Sequence, residues 1–230
     1  MKLSRLIIPL LFCLALLADC LMILNAQNEY RVFTKTLLVP ILLAGIYIEA
    51  KDTKHTRSKM IANLGLFFCF LGDFFLLFDQ DPYYFVFGLG SFLVAHIFFI
   101  VFFYRLKPFS DKYRLFIFTT AIIILFYLMA LLFLIWSNVT VQGLQIPVAI
   151  YAAVLGIMLL TAANTLNNRS MKRLSKNYFI PGAVLFVLSD SALAINKFSF
   201  KFNYSGVIVM VLYAAALLVL TTGMLRFLRK

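Results

Sequence analysis

Apolar runs of about twenty residues return eight times along this chain of 230 residues, and the linkers between them are too short for a soluble domain. They fall at about 7–25, 32–50, 60–79, 84–104, 115–136, 145–166, 178–195 and 206–226. A helix of about 20 mostly apolar residues crosses a hydrocarbon core about 30 Å thick, so each run is long enough to span one. The chain is 63% hydrophobic and only 13% charged, outside the balance of soluble globular domains. The expectation is an all-α polytopic membrane helix bundle of eight transmembrane helices, with residues 1–230 as a single integral membrane domain.

The opening, "MKLSRLIIPLLFCLALLADC", imitates a secretory signal, but Asp19 stands where a cleavage site wants small neutral residues. An uncleaved first helix is expected. Cys13, Cys20 and Cys69 all lie inside apolar runs, where a thiol acts as a small hydrophobe. They offer neither a disulfide framework nor a metal spacing, and no metal or cofactor is expected.

The basic residues sort by loop. Lys2 and Arg5 precede the first run, and Lys51, Lys54, Arg57 and Lys59 follow the second. Arg105, Lys107, Lys112 and Arg114 follow the fourth, Arg169, Lys172, Arg173 and Lys176 the sixth, and Arg226, Arg229 and Lys230 end the chain. Only Arg31, Lys35, Lys197 and Lys201 remain for the other side, which puts both termini in the cytoplasm by the positive-inside rule. The net charge of +12 therefore reports topology, and a nucleic-acid partner is excluded for want of a basic face on a soluble fold. Two glycosylation triplets, Asn138-Val139-Thr140 and Asn203-Tyr204-Ser205, fall in outer loops so close to the membrane boundary that they read as chance.

Three acids interrupt the apolar runs. Counted at 1.5 Å per residue, Asp73 lies about 20 Å, and Asp190 and Asp19 about 18 Å, from the inner ends of their helices. Helices two, four and six run the other way, so Lys35, Ser91 and Tyr151 reach the same outer layer, with His96 nearer the midplane. An ionised group at this depth costs several kcal/mol unless paired or wetted; a polar pocket open toward the outer leaflet satisfies them all. Asp19 paired with Lys35 would instead brace two helices, His96 has the alternative of an ordinary hydrogen-bonded core residue, and Glu49 sits where it would reach the inner interface.

Asp73 and Asp190 are also matched. At an offset of 117, Gly65, Leu71, Gly72, Asp73 and Leu76 align with Gly182, Leu188, Ser189, Asp190 and Leu193, as two parallel four-helix repeats would require. Small residues before each acid, Gly72 and Ser189, let helices approach closely.

Lys35 opening the second run, "LGDFFLL" at 71–77, "GLGSFLVAHIFF" at 88–99, "PVAIYAAVLGIML" at 147–159 and "GAVLFVLSDSALA" at 182–194 together resemble the YhhN or lysoplasmalogenase family of membrane proteins over nearly the whole chain. The one departure noted is Thr36, where the family pattern has proline. The resemblance implies hydrolysis of the vinyl ether bond of a lysoplasmalogen, a lysophospholipid substrate, to a fatty aldehyde and a glycerophospho-base. It maps the family's acidic motifs onto Gly72-Asp73 and Ser189-Asp190.

Acid cleavage of a vinyl ether protonates the β-carbon and leaves an oxocarbenium ion that water captures as a hemiacetal. Two carboxyls in one low-dielectric site can divide the roles of acid and anion, and a coupled pair titrates as a unit, so the order of roles stays open. Tyr151, Ser91 and His96 are candidates for holding water or substrate. Lys35, with Arg31, Lys197 and Lys201, would meet a lipid phosphate or serve as interfacial anchors. The rival reading is a proton-coupled transporter or scramblase, whose helices should break at Gly or Pro at matching places in both halves; Pro40 and Pro147 interrupt runs two and six, but not at the repeat offset.

The charge pattern predicts that a cysteine placed at Asp81 reacts with a membrane-impermeant thiol reagent added from outside. Labelling from the cytoplasmic side alone reverses the orientation and moves the pocket to the inner leaflet.

Overall fold

The computed structural model of the protein describes residues 4–78 and 80–229; Lys2, Lys230 and the bound at 79 of the third apolar run lie outside them. Eight long helices follow in order: α1 (Ser4–Leu24), α2 (Arg31–Glu49), α3 (Thr56–Phe75), α4 (Pro82–Leu106), α5 (Arg114–Val141), α6 (Gln145–Asn164), α7 (Lys172–Phe198) and α8 (Ser205–Leu228). All eight are long and apolar enough to cross a membrane, no strand occurs among the described residues, and the chain is a multi-pass membrane protein. Most neighbours in sequence pack as antiparallel hairpins, most extensively α3 on α4 and α7 on α8, as short loops favour, while α4 packs on α6 rather than on α5.

Two helices overrun their expected limits. The run at 115–136 continues to Val141, where Gly143 at φ +69° lets Leu144 N–H reach the Val139 carbonyl at 3.1 Å, a glycine-closed helix end. Asn138 therefore sits inside α5 rather than in an outer loop, its side chain donating to the Phe198 carbonyl at 2.7 Å. α7 starts at Lys172 instead of 178 through a π-turn over Ser175–Phe179. Pro181 follows it; its ring would crowd an α-helical carbonyl, and a wider turn relieves that contact.

Pro147 is the third residue of α6 and interrupts nothing, and α2 runs unbroken through Pro40. Glu49, expected at the inner interface, pairs with Arg229, while Thr53 Oγ1 donates to the Leu228 carbonyl at 2.6 Å. Together they tie the end of α8 to the loop after α2. α5 lies at the periphery, with Phe133 88% and Phe126 78% exposed, as suits side chains facing lipid.

A continuous core runs between the hairpins, with Phe99, Phe102, Phe103, Phe179 and Phe186 fully enclosed. Close approach of α3 and α4 depends on small residues: a Cβ at Gly65 would lie 2.7 Å from the Phe99 ring, and one at Gly72 would lie 2.6 Å from Phe92. The half of the bundle where odd-numbered helices begin is thus rich in packed aromatic rings, and the buried acids Asp19 and Asp73, with Lys35, lie toward the end where odd-numbered helices finish and even-numbered ones begin.

Gly65→Val should destabilise the detergent-solubilised protein by about 1–3 kcal/mol, the usual cost of overpacking, read as an earlier loss of the monodisperse peak on heating. Gly90→Ala, which meets nothing within 4 Å, should leave that curve unchanged. Equal behaviour of the two variants would overturn the close-packing account.

Candidate active site

Asp73 lies in the last turn of α3 and Asp190 in the second half of α7. Asp73 is 1% exposed; Tyr213 of α8 donates its hydroxyl to Asp73 Oδ2 at 2.6 Å, and Lys35 Nζ of α2 stands 3.7 Å from Oδ1. Asp190 receives the hydroxyl of Tyr151, from α6, at 2.6 Å on Oδ2. His96 of α4, fully buried, brings Nε2 within 3.3 Å of the same oxygen and 3.1 Å of the Tyr151 hydroxyl. Each acid is thus held by tyrosine plus a basic side chain, as buried carboxylates require.

Two cavities of opposite character meet here. A polar one of about 240 Å³ is bordered by Arg31, Lys35, Asp73, Ser189, Asp190 and Asn196. A narrow apolar one runs among α4, α5, α6 and α7, and its polar lining residues are Tyr151, Asp190 and Ser191. The Ser191 hydroxyl is already engaged by Tyr127 at 2.8 Å and by the Val187 carbonyl at 2.7 Å. Asp190 lines both spaces, with Leu76, Phe92 and Leu193 as the shared wall.

The sequence candidates separate accordingly. Asp73, Asp190, Lys35, His96, Tyr151 and Ser189 come together. Ser189 borders the polar cavity, but its hydroxyl donates to the Val209 carbonyl at 3.0 Å, tying α7 to α8. Ser91 does not belong: its hydroxyl bonds back to the Phe87 carbonyl at 2.8 Å and it lines neither cavity. A helical serine facing away from a polar partner satisfies itself on the turn behind it.

Asp19 is also reassigned. It does not brace Lys35; its two oxygens take Nε and Nη2 of Arg31, each at 3.2 Å, and Oδ1 accepts the Thr34 hydroxyl at 2.8 Å. Depth matched Asp19 to Lys35, but the bidentate fork of Arg31 fits a carboxylate better than an ammonium does, which leaves Lys35 for Asp73. Asp19 thereby fixes Arg31 at the rim of the polar cavity. Lys197 lies over the Phe85 ring at 4.8 Å, and neither it nor Lys201 lines that cavity. Thr36 donates to the Val32 carbonyl one turn back.

Sequence reasoning missed Tyr213. The repeat would have found it, because the offset of 117 that relates Asp73 to Asp190 also relates His96 to Tyr213 and Phe92 to Val209. The contacts repeat with the residues. Gly72 packs on Phe92 as Ser189 bonds to Val209, and the acids pair crosswise, Asp73 of α3 with Tyr213 of α8 and Asp190 of α7 with His96 of α4.

No solved structure matches the chain. A lysoplasmalogenase of Mycobacterium tuberculosis (strain CDC 1551 / Oshkosh) is 32% identical over 154 residues, which are 66% of this chain and 55% of that protein. Lysoplasmalogenase TMEM86A of Homo sapiens is 32% identical, and that of Bos taurus 30%, over 154 residues that make up 66% of this chain and 60% of each relative. The matched part thus spans little more than half the length of these relatives. The model of the YhhN family matches residues 30–224, from the rim arginine through both acids and nearly to the end of α8, and the chain belongs to that family.

Proposed function

We propose that the chain hydrolyses the vinyl ether of a lysoplasmalogen, as the names of its relatives suggest. The observation that carries this reading is the meeting of a polar and an apolar cavity at Asp190. A single-chain phospholipid is polar on one side of its vinyl ether and apolar on the other. With that bond at Asp190, the glycerophospho-base lies toward Arg31 and Lys35, and the alkenyl chain lies in the apolar space. Residues 1–230 act as one membrane domain with both termini cytoplasmic, so the polar cavity opens to the outer leaflet.

The two acids take different roles because their neighbours differ. Asp73 has the Lys35 ammonium beside it and serves as the anion that stabilises positive charge and orients water. Asp190 has the His96 imidazole beside it at 3.3 Å and reaches the chain cavity, so it serves as the acid. Its proton passes to the β-carbon, the π electrons of the vinyl group forming the new C–H bond, and the positive charge spreads over the α-carbon and ether oxygen. Water adds to the α-carbon and gives up a proton to the carboxylate pair. The hemiacetal then collapses, its C–O bond to glycerol breaking as that oxygen takes a proton, and the aldehyde leaves with the oxygen of water. Tyr151, His96 and Tyr213 hold the acids in place throughout.

Asp73→Asn and Asp190→Asn should each lower turnover of lysoplasmalogen by about 10²–10⁴, the usual share of a general acid or base, with the folded protein still present in the membrane. Asp19→Asn should cost less activity and more stability, since it leaves Arg31 without its fork partner. Near wild-type rates for either of the first two would remove that residue from the chemistry. The ester-linked lysophospholipid is the control, and equal turnover of both lipids would make the protein a lysophospholipase.

In heavy water, carbon protonation must leave one deuterium on the carbon next to the aldehyde, read by mass spectrometry after trapping as a hydrazone. An aldehyde without deuterium would eliminate the protonation step and the role of Asp190.

A further inference from the structure

The apolar cavity has a closed far end. From Asp190 it follows α7 through Leu193 and Ala194 to Phe198, α4 from Phe92 back to Phe85, and α6 from Leu155 back to Val148. Seven or eight residues of helix make it about 10–12 Å long. At that end Phe85, Ile135, Val139, Val148 and Phe198 form a separate buried cluster. Phe85 and Phe198 meet edge to face at 5.8 Å, Lys197 covers Phe85 at 4.8 Å, and Asn138 anchors the Phe198 carbonyl at 2.7 Å. Such a plug is held by packing, a cation–π contact and a hydrogen bond on three helices, whereas the walls between it and Phe92 and Tyr151 are mostly leucine and alanine.

We propose that this cavity is a binding site for one unbranched aliphatic chain, and that the Phe85–Phe198 plug gauges its length. The proposal rests on the reading above, in that Asp190 marks the reacting end, but the site itself is defined by shape and polarity alone. The polar cavity approaches the acids from the same end of the bundle, where Arg31, Asn196 and Ser205 border it. A lipid bound across both therefore folds back on itself at Asp190, its chain separated from its head group by Leu76, Phe92 and Leu193. A lipid with a second long chain on the glycerol would have to place that chain among Lys35, Asp73 and Asn196, which a hydrocarbon avoids. The fold of the site thus selects single-chain lipids.

Ala194 lies one helical turn beyond Asp190, on the cavity wall, and Phe198 one turn further. Ala194→Phe fills the passage, and Phe198→Ala opens its end. The ratio of kcat/KM for a hexadecenyl over an octenyl lysoplasmalogen should fall about tenfold or more in Ala194→Phe and rise in Phe198→Ala, the scale of discrimination that methylene groups give in an apolar pocket. If Phe198→Ala does not accumulate, Val148→Ala opens the same end by a smaller step and should shift the ratio in the same direction. Unchanged ratios in both directions would overturn the gauge.

A second measurement separates this proposal from the hydrolase reading. A non-cleavable alkyl-ether lysophosphocholine with a diazirine at the chain terminus is photolysed in the wild-type protein, and the labelled peptides are sequenced. Labels on Phe85, Ile135 or Val148, competed by unlabelled alkyl-ether lipid, support the chain site even if no vinyl ether is hydrolysed. Labels confined to the lipid-facing Phe126 and Phe133 would place the chain outside and refute it.

Discussion

A carboxylate in hydrocarbon has to be paired or hydrogen-bonded, at a cost of several kcal/mol otherwise, and this bundle is arranged around meeting that demand twice. The partners of Asp73 come from α2 and α8 and those of Asp190 from α4 and α6. Each acid therefore ties three helices together. The glycine and serine before each acid bring α3 onto α4 and α7 onto α8, and the hydroxyl donors then fall within reach. Removing an acid would leave a buried tyrosine hydroxyl, and for Asp73 a buried ammonium, without its main partner. Asparagine keeps an acceptor and is the substitution that tests chemistry with least disturbance of packing.

Much of this was legible in the sequence. The eight helices follow from apolar runs and the two acids from their cost in such runs, and helix type needs nothing finer than composition. The errors arose where a local rule competes with geometry. The apolar run ends at Trp136 because Ser137, Asn138 and Thr140 read as loop residues, whereas a helix accepts hydroxyls that bond back to its own carbonyls, as Thr140 does to Trp136. The alternative pairing of Asp19 with Lys35 rests on depth alone, and depth does not encode which neighbouring side chain carries two donors at carboxylate spacing. Tyr213 was overlooked because a tyrosine in an apolar run is unremarkable until an offset of 117 sets it opposite His96.

That offset also explains why the two acids need not behave alike. In a symmetric ancestor of two four-helix halves, both would have matching partners and share one role. Here position 96 is histidine and position 213 tyrosine. Lys35 serves Asp73 from α2, and at the same offset stands Ala152, with Tyr151 beside it taking up Asp190 instead. One half-site therefore keeps a fixed ammonium and the other an imidazole that can give or take a proton. A reaction that needs an acid and an anion at once is served by such a pair, while two identical half-sites would compete for the same protonation state.

The cavities divide on the same line. α5 contributes no residue to the polar space and four leucine or isoleucine side chains to the apolar one, although its outer face is among the most exposed in the protein. Its counterpart α1 in the first half offers Asp19 to hold Arg31 at the rim. The equivalent helices of the two halves have thus specialised toward opposite ends of an amphipathic ligand. A basic rim on one side and an aliphatic cleft on the other would bias a single-chain lipid to lie in one direction across the acids. Orientation is then set by the solvation of the two ends of the ligand, and the carboxyls need only be placed where those ends join.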